Sequence, residues 1–329
     1  MASEKSLWSR MLLRIRAGSV VSLPLRALKV IYVRAVIRAF SSIAAVCGPA
    51  TVGVGRYSLE LMPGDGGKSA ELRINGVKEP LCMDLIGREA AGSRTIVDVG
   101  ANIGYNVLVF AEKAPRSRII AIEPVPETFR ALNENIRRNK LGNVSAFDVG
   151  IANVNGQLPL YVSKKRNWSR FLMTEEGSGD IIDVIPSKVV TLDTLASDEG
   201  LAGIDFVRMD VEGFEVEVIE GMKGILKGRQ RLKILMEMHW HLRARGDLDS
   251  MLMTLEENGF RIREALVEDD WRMHFFVKHP LLKQPLDWFR ERLGDRNYTG
   301  PVETDYHALY SRTGILPSHI LFEKAPRLR

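Results

Sequence analysis

The run Asp98-Val99-Gly100-Ala101-Asn102-Ile103-Gly104 places an acid before two glycines four residues apart. Gly100 allows a tight backbone turn, and Gly104 allows a following helix to approach closely. A dinucleotide fingerprint would read G-x-G-x-x-G, and this run reads G-x-x-x-G. Asp98 would repel a pyrophosphate and favour a cationic ligand. Glu123 follows Gly100 by 23 residues, where an acid can accept both hydroxyls of a ribose. Asp148, or Asn153 just beyond it, is placed to meet an adenine amine. S-adenosylmethionine combines these features: a nucleoside, a sulfonium and an ammonium, and a carboxylate that a helix N-terminus could receive. The expected cofactor residues are therefore Asp98, Gly100, Asn102, Gly104, Glu123, Asp148 and Asn153.

A second group suits proton transfer. Asp210 and Glu212 stand two apart, as do Glu237 and His239. Methyl transfer to an alcohol needs alignment of donor and acceptor and removal of the hydroxyl proton. His239 or Asp210 is the expected general base, His239 having the pKa better suited to neutrality. Glu212 and Glu237 are expected to orient the acceptor or the base. The same four side chains could bind a hard divalent cation, but no metal site is assigned. His239-Trp240-His241 is a weak zinc pattern, because no cysteine neighbours it. Asn167, Trp168, Ser169 and Arg170 form the expected acceptor-binding loop, an aromatic beside hydrogen-bonding groups.

These groups must be held at the ends of strands. Short apolar runs at Thr95–Val99, Arg118–Ile122, Val144–Asp148, Ile204–Met209 and Leu232–Glu237 alternate with helical stretches at Tyr105–Glu112, Pro126–Asn139, Phe214–Leu226 and Leu248–Asn258. Phe260–Leu266 and His319–Phe322 complete about seven strands. The alternation predicts an α/β, doubly wound, Rossmann-like parallel sheet. Residues 51–90 are expected to form a small β-hairpin segment, with strands Val52–Leu61 and Ala70–Ile74 around Pro63–Gly67. Residues 91–329 form the main domain. Two stretches, 155–192 and 268–315, break its rhythm and are expected to be functional insertions.

The chain has 329 residues and a net charge of +5. Residues 1–50 carry eight Lys/Arg and one acid, so the remainder is slightly negative. A near-neutral body argues against a nucleic-acid partner. The arm predicts two basic amphipathic helical stretches separated by Pro24. Residues 8–46 could lie on an anionic membrane or pack on the domain. Two cysteines cannot build a disulfide framework, so a cytoplasmic location, with peripheral membrane contact through the arm, is the expectation.

The motifs together resemble the FkbM family of class I methyltransferases. They are Asp98-Val-Gly-Ala-Asn-Ile-Gly104, Glu123-Pro124, Leu192-Asp193-Thr194-Leu195, Arg208-Met209-Asp210-Val211-Glu212-Gly213 and Glu237-Met238-His239. The similarity spans about residues 94–266, with a final strand near 318–323. Arg208 stands where the family usually has lysine, which keeps the charge and changes its geometry. The resemblance implies a sheet whose last strand is antiparallel, S-adenosylmethionine as donor, and O-methylation of a glycan, glycolipid or other small hydroxylated acceptor. Three other classes were weighed. An NAD-linked oxidoreductase lacks its glycine fingerprint here, and a nucleic-acid methyltransferase lacks a basic face. A non-catalytic nucleotide-binding fold kept as a membrane scaffold by the basic arm would bind S-adenosylmethionine without turnover, or not bind it.

Overall fold

The computed structural model describes residues 50–65, 68–172, 178–201, 203–228, 231–239, 247–266 and 318–324. The predicted arm, except for Ala50, and the predicted insertion at 268–315 lie outside the described residues, as do Trp240 and His241. Among the described residues no helix is long and apolar enough to cross a membrane.

Seven strands form the central sheet: β3 (Thr95–Val99), β4 (Arg118–Ile122), β5 (Val144–Phe147), β9 (Phe206–Met209), β10 (Lys233–Glu237), β11 (Phe260–Leu266) and β12 (His319–Lys324). Their order is β11-β12-β10-β9-β3-β4-β5. The strands from β10 through β9, β3 and β4 to β5 run parallel, and β12 is inserted antiparallel between β10 and β11. This is the class I methyltransferase sheet implied by the resemblance. Its order reverses between β3 and β9, and a ligand crevice opens at such a switch point.

Strand alternation divides the interior in two. Val97, Val99, Val207, Met209, Ile234 and Met236 face one apolar layer. That layer is filled by α5 (Leu192–Asp198), α6 (Glu215–Glu220), α7 (Lys223–Lys227) and α8 (Leu248–Glu257). Ile96, Ile119, Ala121, Phe206 and Leu235 face the other layer. There they meet α2 (Pro80–Ala90), α3 (Tyr105–Lys113) and Leu132 of α4 (Pro126–Arg138). The helix predicted over 214–226 is split into α6 and α7. Asp193 accepts from the backbone N–H groups of Gly224 and Ile225, 2.6 and 2.9 Å, at the start of α7. Its motif therefore has a structural task.

The lead-in segment corrects the prediction. A hairpin is present but short, β1 (Thr51–Val54) against β2 (Tyr57–Glu60). The predicted strand at Ala70–Ile74 is instead part of helix α1 (Lys68–Asn75), which α2 follows. Leu72 is fully buried in the second layer. Periodicity in so short a stretch did not separate helix from strand, and Asp65, accepting from Ser69 N at 3.0 Å, ties down the first turn of the helix. The insertion at 155–192 is ordered largely as a β-hairpin, β7 (Gly156–Ser163) against β8 (Ile181–Val190), with the short strand β6 (Gly150–Ile151) beside β8. Leu160 and Val162 bury one face of it against Val125.

Candidate active site

Gly100 and Gly104 both have left-handed φ, +81° and +93°. A Cβ on Gly100 would sit 2.0 Å from the Asp210 carbonyl oxygen. The glycine therefore permits the ends of β3 and β9 to touch, in addition to making the turn. A Cβ on Gly104 would meet Leu132 at 2.9 Å, the close helix approach expected from the sequence. Asn102, at φ +53°, donates its backbone N–H to Glu123 Oε2 at 2.9 Å, while Glu123 Oε1 accepts from Val125 N at 3.0 Å. Burial pushes the Glu123 carboxyl up to about 7.

Above these loops lies an open cavity. Gly100, Asn102, Glu123, Asp210 and Glu212 line it. So do Asn167, Ser169 and Arg170 from the β7–β8 connection, and the apolar Val125, Val149, Leu160 and Phe171. The cofactor loop, two of the predicted reacting acids and most of the predicted acceptor loop thus share one space. Gly104 shapes the wall from behind.

Asp98, Asp148, Asn153 and Trp168 lie off the cavity wall, as do Gly104, Glu237 and His239. Asp98 is fully buried beneath the wall, where its Oδ1 accepts from Arg208 at 3.3 Å and its Oδ2 has no hydrogen-bond partner. Its negative charge is answered from within the protein. Asp148 is exposed and Asn153 donates to Glu220 at 2.7 Å, so neither reaches the cavity. Trp168 also stays outside the wall and carries Lys165 over its ring, Nζ 3.6 Å from the centroid.

Strand register explains the acid cluster. Asp98 pairs with Arg208, and Glu237 pairs with His319. Even spacing puts Arg208 and Asp210 on the face used by Asp98, so one buried guanidinium, 2% exposed, serves several acids. It donates to Asp210 Oδ2 at 2.8 Å and to the Gly100 carbonyl at 3.2 Å, and lies 3.7 Å from Glu237. His239 stands among the same acids. Its Nδ1 is 2.7 Å from the fully buried Glu215, and its Nε2 is 3.5 Å from Glu212 and 3.9 Å from Asp210 and Glu237.

The surroundings shift the four side chains in different directions. Burial disfavours a charged His239, but Glu215 and Glu212 outweigh it and raise the pKa well above the usual value. A protonated imidazole cannot take a proton near neutrality. Burial likewise opposes ionisation of Asp210, yet Arg208 and Lys68 hold its carboxyl well below the usual range, making it a weak base. Glu212 and Glu237 move the other way. Burial raises them to about 7 and about 8, where general bases work well. Of the two, only Glu212 lines the cavity. It is held at φ +53° ahead of Gly213 at +97°, a backbone that aims it from the strand end.

Asp210, Glu237 and His239 bring one ligand atom each within 4.8 Å of one another, as a divalent cation site would. The Arg208 guanidinium already supplies positive charge to two of them. Sequence reasoning did not identify Lys68 or Glu215 as site residues. Glu215 lies two beyond Gly213 in the same motif, a local signal. Lys68 carries none.

The residues fit the proposed donor. The glycine turn, Glu123 at the second strand end and a flat apolar wall suit a nucleoside, and the acids suit its cationic groups. Comparison with known proteins agrees. Residues 98–262 match the Methyltransferase FkbM domain. The chain is 30% identical over 202 residues to the methyltransferase sdnD of Sordaria araneosa, covering 53% of this chain and 71% of that one. It is 31% identical over 143 residues to the hexuronic acid methyltransferase AglP of Haloferax volcanii, 44% and 56% of the two chains. Against the 2-O-methyltransferase NoeI of Sinorhizobium fredii it is 28% identical over 143 residues, 40% and 58%. From the turn at Gly100 to the paired acids of β9 and β10, the matched region contains most of the site, and the chain belongs to the FkbM family of S-adenosylmethionine-dependent methyltransferases.

Proposed function

We propose that the protein methylates a hydroxyl oxygen of a sugar or another small hydroxylated acceptor, with Glu212 as the general base. The observation that carries this reading is the position of Glu212, on the cavity wall, with its carboxyl raised by burial to about 7. S-adenosylmethionine, when bound, supplies a methyl group on a positively charged sulfur. Glu123 and Asn102 would hold its ribose, and Val125, Val149 and Phe171 its base.

Glu212 accepts the acceptor's hydroxyl proton as the oxygen gains its methyl. Protonated His239, 3.5 Å away, orients that carboxylate and is itself fixed by Glu215. Arg208 keeps Asp210 ionised beside the reaction, where its charge complements the donor's sulfonium. Asn167 and Ser169 contribute polar groups to the wall for acceptor hydroxyls.

A sugar-like acceptor is supported by the polar groups on the wall, by the charge of the body, and by the relatives. One relative is named for a hexuronic acid and another for 2-O-methylation. The test is a pH–rate profile on a panel of glycosides and uronic acids. Wild-type kcat/KM should rise with pH to a plateau above about 7, because the reactive form is the carboxylate. Glu212→Gln should lower kcat by about 10²–10⁴-fold and remove that rise. Undiminished turnover by Glu212→Gln would refute the assignment.

A further inference from the structure

Lys68 belongs to α1, thirty residues before the family match begins. Its side chain is only 3% exposed, yet it lines the same cavity as Gly100, Asn102, Glu123 and Asp210. Burying an ammonium is costly unless an anion answers it. The nearest carboxylate given by the structure is Asp210, whose Oδ2 is 3.7 Å from Nζ, beyond hydrogen-bond length. That same oxygen already accepts from Arg208 at 2.8 Å. Asp210 therefore does not need Lys68 as its principal partner.

The strand-end half of the wall is otherwise acidic: Glu123, Asp210 and Glu212. Those acids suit the sulfonium, the ammonium and the ribose hydroxyls of the donor. They would repel its carboxylate. Sequence reasoning gave that carboxylate to a helix N-terminus, but no residue of α3 lines the cavity. Two arginines on the wall, Arg166 and Arg170, come from the hairpin side. Arg166 is committed to Glu127 at 2.7 and 2.9 Å and to the Ser163 carbonyl at 2.9 Å. Lys68 sits on the strand-end side of the wall, 3.7 Å from Asp210.

We propose that Lys68 is the carboxylate anchor of the cofactor pocket, binding the amino-acid end of S-adenosylmethionine from a segment outside the family domain. The assignment rests on the cofactor reading of the cavity. It makes α1, through Lys68, part of the binding machinery.

Isothermal titration of the full chain with two ligands tests this. One is S-adenosylmethionine. The other is decarboxylated S-adenosylmethionine, which keeps the sulfonium and the amine and lacks only the carboxylate. A charge-assisted contact predicts about 10–100-fold tighter binding of the intact ligand by the wild type. Lys68→Met should erase that preference by weakening the intact ligand alone, and Lys68→Arg should recover part of it. Equal affinity of the wild type for both ligands would overturn the proposal even if Lys68→Met failed to fold. So would an equal loss for both ligands in a folded Lys68→Met, shown by an unchanged circular dichroism spectrum. A wild-type chain binding neither ligand would overturn the cofactor reading as well.

Discussion

The two halves of the sheet's carboxyl edge are built on different principles. On the β3–β4 side the geometry is made by backbone. Two glycines with positive φ, a left-handed Asn102, and a Glu123 carboxylate tied to two N–H groups shape the wall. On the β9–β10 side it is made by charge. Arg208, Asp210, Glu212, Glu215, Glu237 and His239 are linked by charged contacts of 2.7 to 3.9 Å. A backbone site is fixed by local conformation. A charge site is fixed by neighbours brought from other strands.

The comparison can be broken most severely at Gly100. Gly100→Ala places a methyl 2.0 Å from the Asp210 carbonyl oxygen at a φ of +81°. The two halves must then separate. S-adenosylmethionine binding should fall by more than tenfold, with a melting temperature lowered by several degrees, whereas Gly142→Ala, where nothing lies within 4 Å of the added carbon, should change neither. Normal binding by Gly100→Ala would mean that the contact is dispensable.

A smaller effect sharpens the charge half. Glu212 keeps its proton to about pH 7 when folded, but only to its ordinary value near 4.5 when unfolded. The folded state thus binds more protons between these values, and stability must decline as pH rises through that window. Glu212→Gln should therefore melt roughly 2–6 °C above wild type at pH 8 and close to it at pH 5. Equal shifts at both pH values would show that burial does not hold the proton on Glu212.

The smallest effect is expected at Asn153. Its amide is spent on Glu220, away from the cavity. Asn153→Ala should leave S-adenosylmethionine affinity within about twofold, measured by titration. A tenfold loss would return the residue to the adenine site.

Much of this was legible from residue order alone. Apolar runs of strand length, glycines after the first strand and an acid after the second are local patterns, and they placed β3, β4, α3, α4 and the Gly100–Glu123 loop correctly. The helix at residues 68–75 was misread because eight residues gave too little periodicity. Asp148 and Asn153 lie off the cavity wall, because a strand end has several directions and sequence does not give which one opens on the cavity.

The sequence by itself determined the fold class, the family and the chemical types gathered at the strand ends, because those depend on periodicity and short motifs. Only the tertiary structure separates those acids, by burial and by the charges set beside each. His239 looked like a base until Glu215 and Glu212 surrounded it, and Asp210 looked like one until Arg208 paired with it across the same sheet face. Burial and an opening onto the cavity favour Glu212 for the role proposed above. Protonation depends on burial and on charges a few ångströms away, and those distances exist only once β9, β10 and α1 have been brought together.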